Sequence, residues 1–231
     1  MLQQGLDLVP RLPYAPEKFV VHAGVVQAVD SFKSALSEVG FASRFITGEA
    51  RSGKTHLTIW LQGHIRNCNF IPSYVDGASF ESWLKTEGIT RKWTDHDVVV
   101  VDDIDLYLKK ITPGHSGAFV DFYEMLRRCG AKFFFVSKLS IDDLPCDAHV
   151  KSRLNASFAC TLGNPEVEDL PLLVDAMAWQ RGIKLKERQN AFIDRRVKRE
   201  ITSIENYLSR LLHLSRLFGA KVGFGLLHDA A

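Results

Sequence analysis

Eight consecutive residues, Gly48-Glu49-Ala50-Arg51-Ser52-Gly53-Lys54-Thr55, constrain this chain more than any other stretch. They match the pattern G-x-x-x-x-G-K-[S/T] and lie between a run of strand character, Arg44 to Thr47, and a run of helical spacing, Lys54 to Ile65. A strand must deliver the chain to the edge of a sheet, and a helix must begin there, for the loop N–H groups to turn inward at the positive end of the helix. Glycine at 48 and 53 permits the turn, the Lys54 ammonium reaches toward terminal phosphates, and the Thr55 hydroxyl is placed to ligate Mg²⁺. The implied ligand is a purine nucleoside di- or triphosphate.

A second segment points to the same chemistry. Four valines, Val98 to Val101, run directly into Asp102-Asp103. A buried strand ending in two carboxylates places acid at the carboxyl edge of an open α/β sheet, where ligands bind. Asp102 is expected on the Mg²⁺ side, and Asp103 as the group that orients or polarises an attacking water.

Around these two motifs the pattern alternates. Val25 to Leu36 has helical spacing, Ile71 to Val75 and Phe133 to Val136 read as strands, and Phe119, Phe122, Tyr123 and Leu126 share one helical face between the last two strands. Strands alternating with helices imply a parallel sheet covered on both sides. From Pro165 the strand signals stop: Leu173 to Trp179 ends at Arg181-Gly182, and Ile201, Ile204, Leu208, Leu211 and Leu212 form a later stripe. Residues 1–18, with Pro10, Pro13 and Pro16, are expected to be an extended arm. The expected division is an arm over 1–18, an α/β core over 19–164 and a small helical lid over 165–231.

Composition mainly excludes. The charge of +2 argues neither for nor against nucleic acid, and no apolar run approaches the roughly 20 residues of a membrane helix. Cys68, Cys129, Cys146 and Cys160 form no CxxC pair and no signal peptide opens the chain, so the expectation is a cytoplasmic protein with reduced thiols and no membrane partner.

Phe19-Val20-Val21, GEARSGKTHL, VVVVDDID and Lys151-Ser152-Arg153-Leu154 together resemble the AAA+ domain of the bacterial replication initiator family DnaA and its short Hda-type members. The resemblance implies a P-loop AAA+ core and helical lid sandwiching ADP or ATP with Mg²⁺. Val20 and Val21 would lie against the base, with Gly48, Ser52, Gly53, Lys54, Thr55 and His56 on the phosphates. Ser137 falls near the sensor I position. The sensor II position, an arginine in the family, is Thr202 here, so ADP is the expected occupant and intrinsic hydrolysis is expected to be slow or absent. Arg153 aligns with the arginine finger that acts in trans on a neighbouring subunit's ATP.

Three features favour the Hda type. The chain ends at Ala231, without a helix-turn-helix segment, and only Asp76 to Asp97 joins the second and third strands; the expectation is therefore no sequence-specific DNA binding. In the arm, Gln3, Leu6 and Leu8 match the hexapeptide by which such proteins dock on the DNA polymerase sliding clamp, with Gln4 departing from the usual leucine. The resemblance then implies a regulator that rides on the clamp and promotes hydrolysis of DnaA-bound ATP through Arg153; a homo-oligomer is a further partner the sequence leaves open. Two alternatives stand beside it: an autonomous AAA+ ATPase such as a helicase loader or transposition-type motor, and a nucleotide-stabilised interaction module without catalysis.

Overall fold

The computed structural model describes residues 19–111, 114–198, 200–219 and 221–231; Gln3, Leu6 and Leu8 lie outside them. The chain opens with α1 (Ala23–Ser37), β1 (Ala42–Thr47), α2 (Lys54–Asn67) and β2 (Ile71–Asp76). A short α3 (Phe80–Trp83) continues through one wide turn, Leu84–Gly88, into β3 (Asp97–Asp102), α4 (Ile104–Leu108), α5 (Gly117–Cys129) and β4 (Lys132–Ser137). Then follow α6 (Ala148–Asn155), β5 (Phe158–Thr161), α7 (Leu170–Gln180), α8 (Glu187–Asp194), α9 (Ile201–Leu217) and α10 (Phe224–Asp229).

The five strands form one parallel sheet in the order β2-β3-β4-β1-β5. Alternation within the valine run explains its burial. Val99 and Val101 face one side with Phe45, Phe133 and Phe135, against Phe80, Phe119 and Phe122. Val98 and Val100 face the other with Ile46, Phe134 and Val136, against α1 and α2. A strand polar on neither face needs helices on both, as the sequence implies. The edge strand β2 shows the contrast, with Ile71 and Tyr74 exposed.

Two buried cations close the end of the sheet away from the P-loop. Lys132 donates to the carbonyls of Glu38 and Gly40, satisfying the end of α1, and Arg44 pairs with Glu38 while its Nε donates to the Ser31 carbonyl. A third apolar cluster, from Leu170 to Ala230, belongs to the lid helices, and Val20 packs against it. Gly182, at φ +72, ends α7 at the Arg181-Gly182 pair read from sequence.

Among the described residues, six elements were not read individually from the sequence: α3, α4, α6, β5, α8 and α10. β5 was not expected, because its four residues present the pattern exposed, exposed, buried, exposed, too short for periodicity to register. The short Asp76 to Asp97 connection contributes to the core: Phe80 and Leu84 from α3 and its wide turn are buried among the aromatic residues. All four cysteines are free thiols, and among the described residues no helix is long and apolar enough to cross a membrane.

Candidate functional site

Loops after β1, β3 and β4 meet at the carboxyl edge of the sheet, and α7 and α9 face them across a cleft of about 270 Å³. Its floor is the loop from Ala50 to His56. Gly53 sits at φ +92 immediately before α2, a conformation that favours glycine, so the first N–H groups of the helix open into the cleft. At Gly48 an added Cβ would fall 2.4 Å from the Ser52 hydroxyl, so that side chain would have to turn from its present position. Among the described residues the Ser52 hydroxyl is buried with no hydrogen-bond partner, which suits a group facing an oxygen-rich ligand.

Lys54 is 6% exposed, and its ammonium donates to the carbonyls of Gly48, 2.6 Å away, and Glu49, 2.5 Å away. Burial holds its pKa below the usual lysine value, against the opposing pull of Asp103. Across from it, Asp103 lines the cleft in a left-handed conformation, φ 49, with Lys138 Nζ 3.5 Å from its carboxylate. Asp102 is turned the other way. Its Oδ2 accepts from the Tyr74 hydroxyl at 2.9 Å and from Thr58 Oγ1 at 3.3 Å, and burial raises its pKa. One face of the β3 terminus thus presents Asp103 to the cleft, and the other ties Asp102 to α2 and β2.

Thr55 is exposed within the cleft lining, and His56 beside it is neutral, its pKa lowered to about 4 by burial and then by the charge of Arg181. The upper wall is apolar: Phe19, Val20, Val25, Leu173, Ala176, Met177 and Ile201, with His22 and Gln180 as polar groups. At the mouth, the Glu205 carboxylate of α9 lies 4.0 Å from Arg51 and 3.9 Å from Arg181.

Four residues expected at the ligand fall elsewhere. Val21 is 46% exposed, because in extended chain the neighbours Val20 and His22 turn into the cleft and the residue between them turns out. Ser137 is fully buried and its hydroxyl accepts from the Leu139 N–H; Lys138, one residue later, reaches the cleft instead. Thr202 is half-buried and absent from the lining, since Ile201 and Glu205, four apart, are the face that α9 presents. Asp102 stands behind Asp103 rather than at the surface of the cleft.

Arg153 lies in a second, polar groove beside Arg44, Glu38, Tyr123 and Arg127. It is 26% exposed and held by Glu124, with Nη2 at 3.1 Å and Nε at 3.2 Å from one carboxylate oxygen. Glu205, Lys138 and Arg51 escaped the sequence reading. Only Lys138 had a signal available, its place directly after a strand that ends beside β1.

Such a sheet, with a phosphate loop after its first strand and helices over the carboxyl edge, can be compared with known proteins. The crystal structure of domain III of Thermotoga maritima DnaA matches 94% of this chain and 95% of its own length, at a TM-score of 0.74 and 19% identity. The fold is that of the DnaA AAA+ domain. AMPPCP-bound DnaA from Aquifex aeolicus matches 93% of the chain and 68% of its own, at a TM-score of 0.69 and 18% identity. The Thermotoga maritima RuvB branch-migration motor shares the architecture too, over 95% of this chain and 71% of its own, at a TM-score of 0.67 and 12% identity. By sequence, the DnaA protein of Francisella tularensis subsp. novicida is 23% identical over 185 residues. That alignment takes in 74% of this chain and only 37% of the length of the initiator. No protein-family model matches.

Proposed function

We propose that the chain binds an adenine nucleotide, ADP or ATP, with Mg²⁺, in the cleft between the β-sheet edge and helices α7 and α9. The supporting observation is the convergence on one cleft of the buried Lys54 ammonium, the left-handed Gly53 turn at the start of α2 and the Asp103 carboxylate at the end of β3. The oxygen donors suit Mg²⁺, which takes few protein ligands and completes its shell with phosphate and water. Among the described residues no cluster of three His, Cys, Asp or Glu side chains could hold a metal by itself. Thr55, which lines the cleft, would hold the metal directly, and Asp102, tied behind Asp103 to Tyr74 and Thr58, would reach it only through water; when bound, the ion neutralises phosphate charge. Asp103 orients water, and Phe19, Val20 and Met177 offer an apolar slot for the base. Titration with fluorescent ADP and ATP tests this: binding should be lost in Lys54→Ala, and binding that survives that change refutes the reading.

The finer reading is a cytoplasmic regulator of replication initiation of the Hda type, which docks on the DNA polymerase sliding clamp through Gln3, Leu6 and Leu8 and promotes hydrolysis of DnaA-bound ATP through Arg153. Similarity to DnaA in sequence and fold supports it. The decisive assay is ATP hydrolysis by the cognate DnaA with clamp loaded on DNA. Stimulation should fall with Arg153→Ala and with Gln3→Ala; if neither lowers it, the assigned roles are wrong. An autonomous ATPase is the second reading, favoured by Asp103 facing the cleft. Fast turnover by the isolated chain, abolished in Asp103→Asn, would select it.

A further inference from the structure

The lid carries a charge concentration that the cleft does not use. Residues 184–198 hold six basic side chains, Lys184, Lys186, Arg188, Arg195, Arg196 and Lys198, and two acidic ones, a net of +4. The whole chain is only +2, so the other 216 residues sum to −2. All six cations are exposed, and none forms an ion pair among the described residues. On the core several exposed cations are partnered, Lys85 with Glu81, Lys109 with Asp105, Lys138 with Asp103 and Arg127 with Glu124, and those without an ion pair among the described residues, such as Lys33, Arg66 and Lys92, are scattered along the chain rather than gathered in one segment.

Helical geometry gathers the lid charges on one side. Gln189 and Ile193 form the buried stripe of α8, and Arg188, Ala191 and Arg195, at i, i+3 and i+7, form the exposed one. Along the axis Arg188 and Arg195 are about 10 Å apart. The Gln189 amide donates to the Val222 carbonyl at 2.9 Å, which ties α8 to the loop bearing the exposed Lys221.

Aromatic groups sit among these cations. The Arg196 guanidinium lies 4.5 Å over the Phe192 ring, and Phe192 meets Phe224 edge-on at 5.8 Å. Phe224 is 52% exposed. Unpaired cations that can follow a phosphate chain, beside rings on which bases can stack, are the two elements of single-strand recognition without sequence readout.

We infer that the outer face of α8, with residues 184–186 before it, residues 195–198 after it and the start of α10, is a docking surface for single-stranded nucleic acid. The cations contact the phosphates and Phe224 supplies a stacking platform. The surface is separate from the nucleotide cleft, whose lid residues belong to α7 and α9. An acidic protein would satisfy the cations and leave the rings without a role, so charge and aromatic content together favour nucleic acid.

The test uses the full chain and a fluorescein-labelled 20-nucleotide oligothymidine, read by anisotropy. With about four phosphate contacts, affinity should fall about 50-fold between 50 and 200 mM salt. Arg188→Gln/Arg195→Gln/Arg196→Gln should weaken binding and flatten the salt dependence. Phe224→Ala should cost about tenfold for the single strand and spare a duplex of mixed sequence. Lys85→Gln/Lys109→Gln/Lys110→Gln, on the core, should behave as wild type. The inference is overturned if the wild-type chain does not bind the oligonucleotide, if the core variant loses as much as the lid variant, or if Phe224→Ala is without effect. It is also overturned if polyglutamate binds the lid surface more tightly than oligothymidine, which would assign the surface to an acidic protein.

Discussion

Replacing Gly77 with alanine tests how the β3 terminus is held. Gly77 follows β2, and its N–H donates to the Asp102 carbonyl at 2.7 Å, so two backbones pass at close range just behind Asp103. A Cβ on residue 77 would fall 2.7 Å from the Asp103 carbonyl carbon and 3.1 Å from the Asp102 carbonyl oxygen, and closer still to the Asp103 carbonyl oxygen. These neighbours are backbone, so relief requires moving β2 away from β3 or shifting the left-handed Asp103. Overpacking of this kind costs about 2 kcal/mol, and in a chain of this size it should lower Tm by about 6 °C. Two further glycines separate sterics from conformation. Gly40 has φ +80 with nothing within 4 Å of an added Cβ, so Gly40→Ala carries left-handed strain alone, about 1 kcal/mol. Gly225 lies inside α10 with open space around it, so Gly225→Ala should be neutral or stabilising by up to about 1 kcal/mol. Thermal melts followed by circular dichroism should rank them Gly77→Ala, Gly40→Ala, Gly225→Ala from least to most stable. Nucleotide titration of the folded protein should find only the first impaired. If Gly77→Ala melts with Gly225→Ala, the close approach is not a constraint and the account of Asp103 fails.

Further outcomes follow from the same geometry. His56, neutral in the fold at about 4 but ordinarily near 6.5, takes up a proton in the unfolded chain first, so stability should rise with pH between those values and be lost as pH falls through them. Urea unfolding should show about 2 kcal/mol more loss from pH 7 to pH 5 in wild type than in His56→Gln; equal losses would refute the assignment. Glu205→Gln removes a carboxylate from a cleft proposed to hold phosphates and releases Arg51 and Arg181, so ATP affinity should tighten roughly fivefold, measured by fluorescent-nucleotide titration, and weaker binding would contradict that placement. Glu124→Gln frees Arg153; if Arg153 acts in trans, stimulation of DnaA ATP hydrolysis should rise, whereas a fall would mean that the Glu124 pair positions it.

The share of this protein legible in its sequence is the share encoded by contiguous residues. Gly48 to Thr55 carries its own turn, helix start and ammonium within eight positions, and Val98 to Asp103 carries both its burial and its carboxylates. Gly182 likewise announces the end of α7. β5 was illegible because four residues hold too few alternations to stand out. The family resemblance placed Thr202 at the lid position, but the rotation of α9 about its axis is set by the packing of Ile204, Tyr207, Leu208 and Leu211, which leaves Ile201 and Glu205 facing the cleft. Ser137 and Lys138 differ by one step along a strand end, and the alternation of the sheet decides which of them meets Asp103.

The sequence by itself determined the phosphate loop, the buried parallel strands and the acids at the end of one of them, because each depends on local backbone geometry or a two-residue period. Tertiary structure alone decided the rest. Arg153 meets Glu124 across 29 positions, Glu205 stands between Arg51 and Arg181 from three separate segments, and Asp102 is bound by Tyr74 from β2 and Thr58 from α2. Such pairings carry no period and no motif. They exist only once the apolar faces of sheet and helices have been buried, which fixes where the polar ends come to rest.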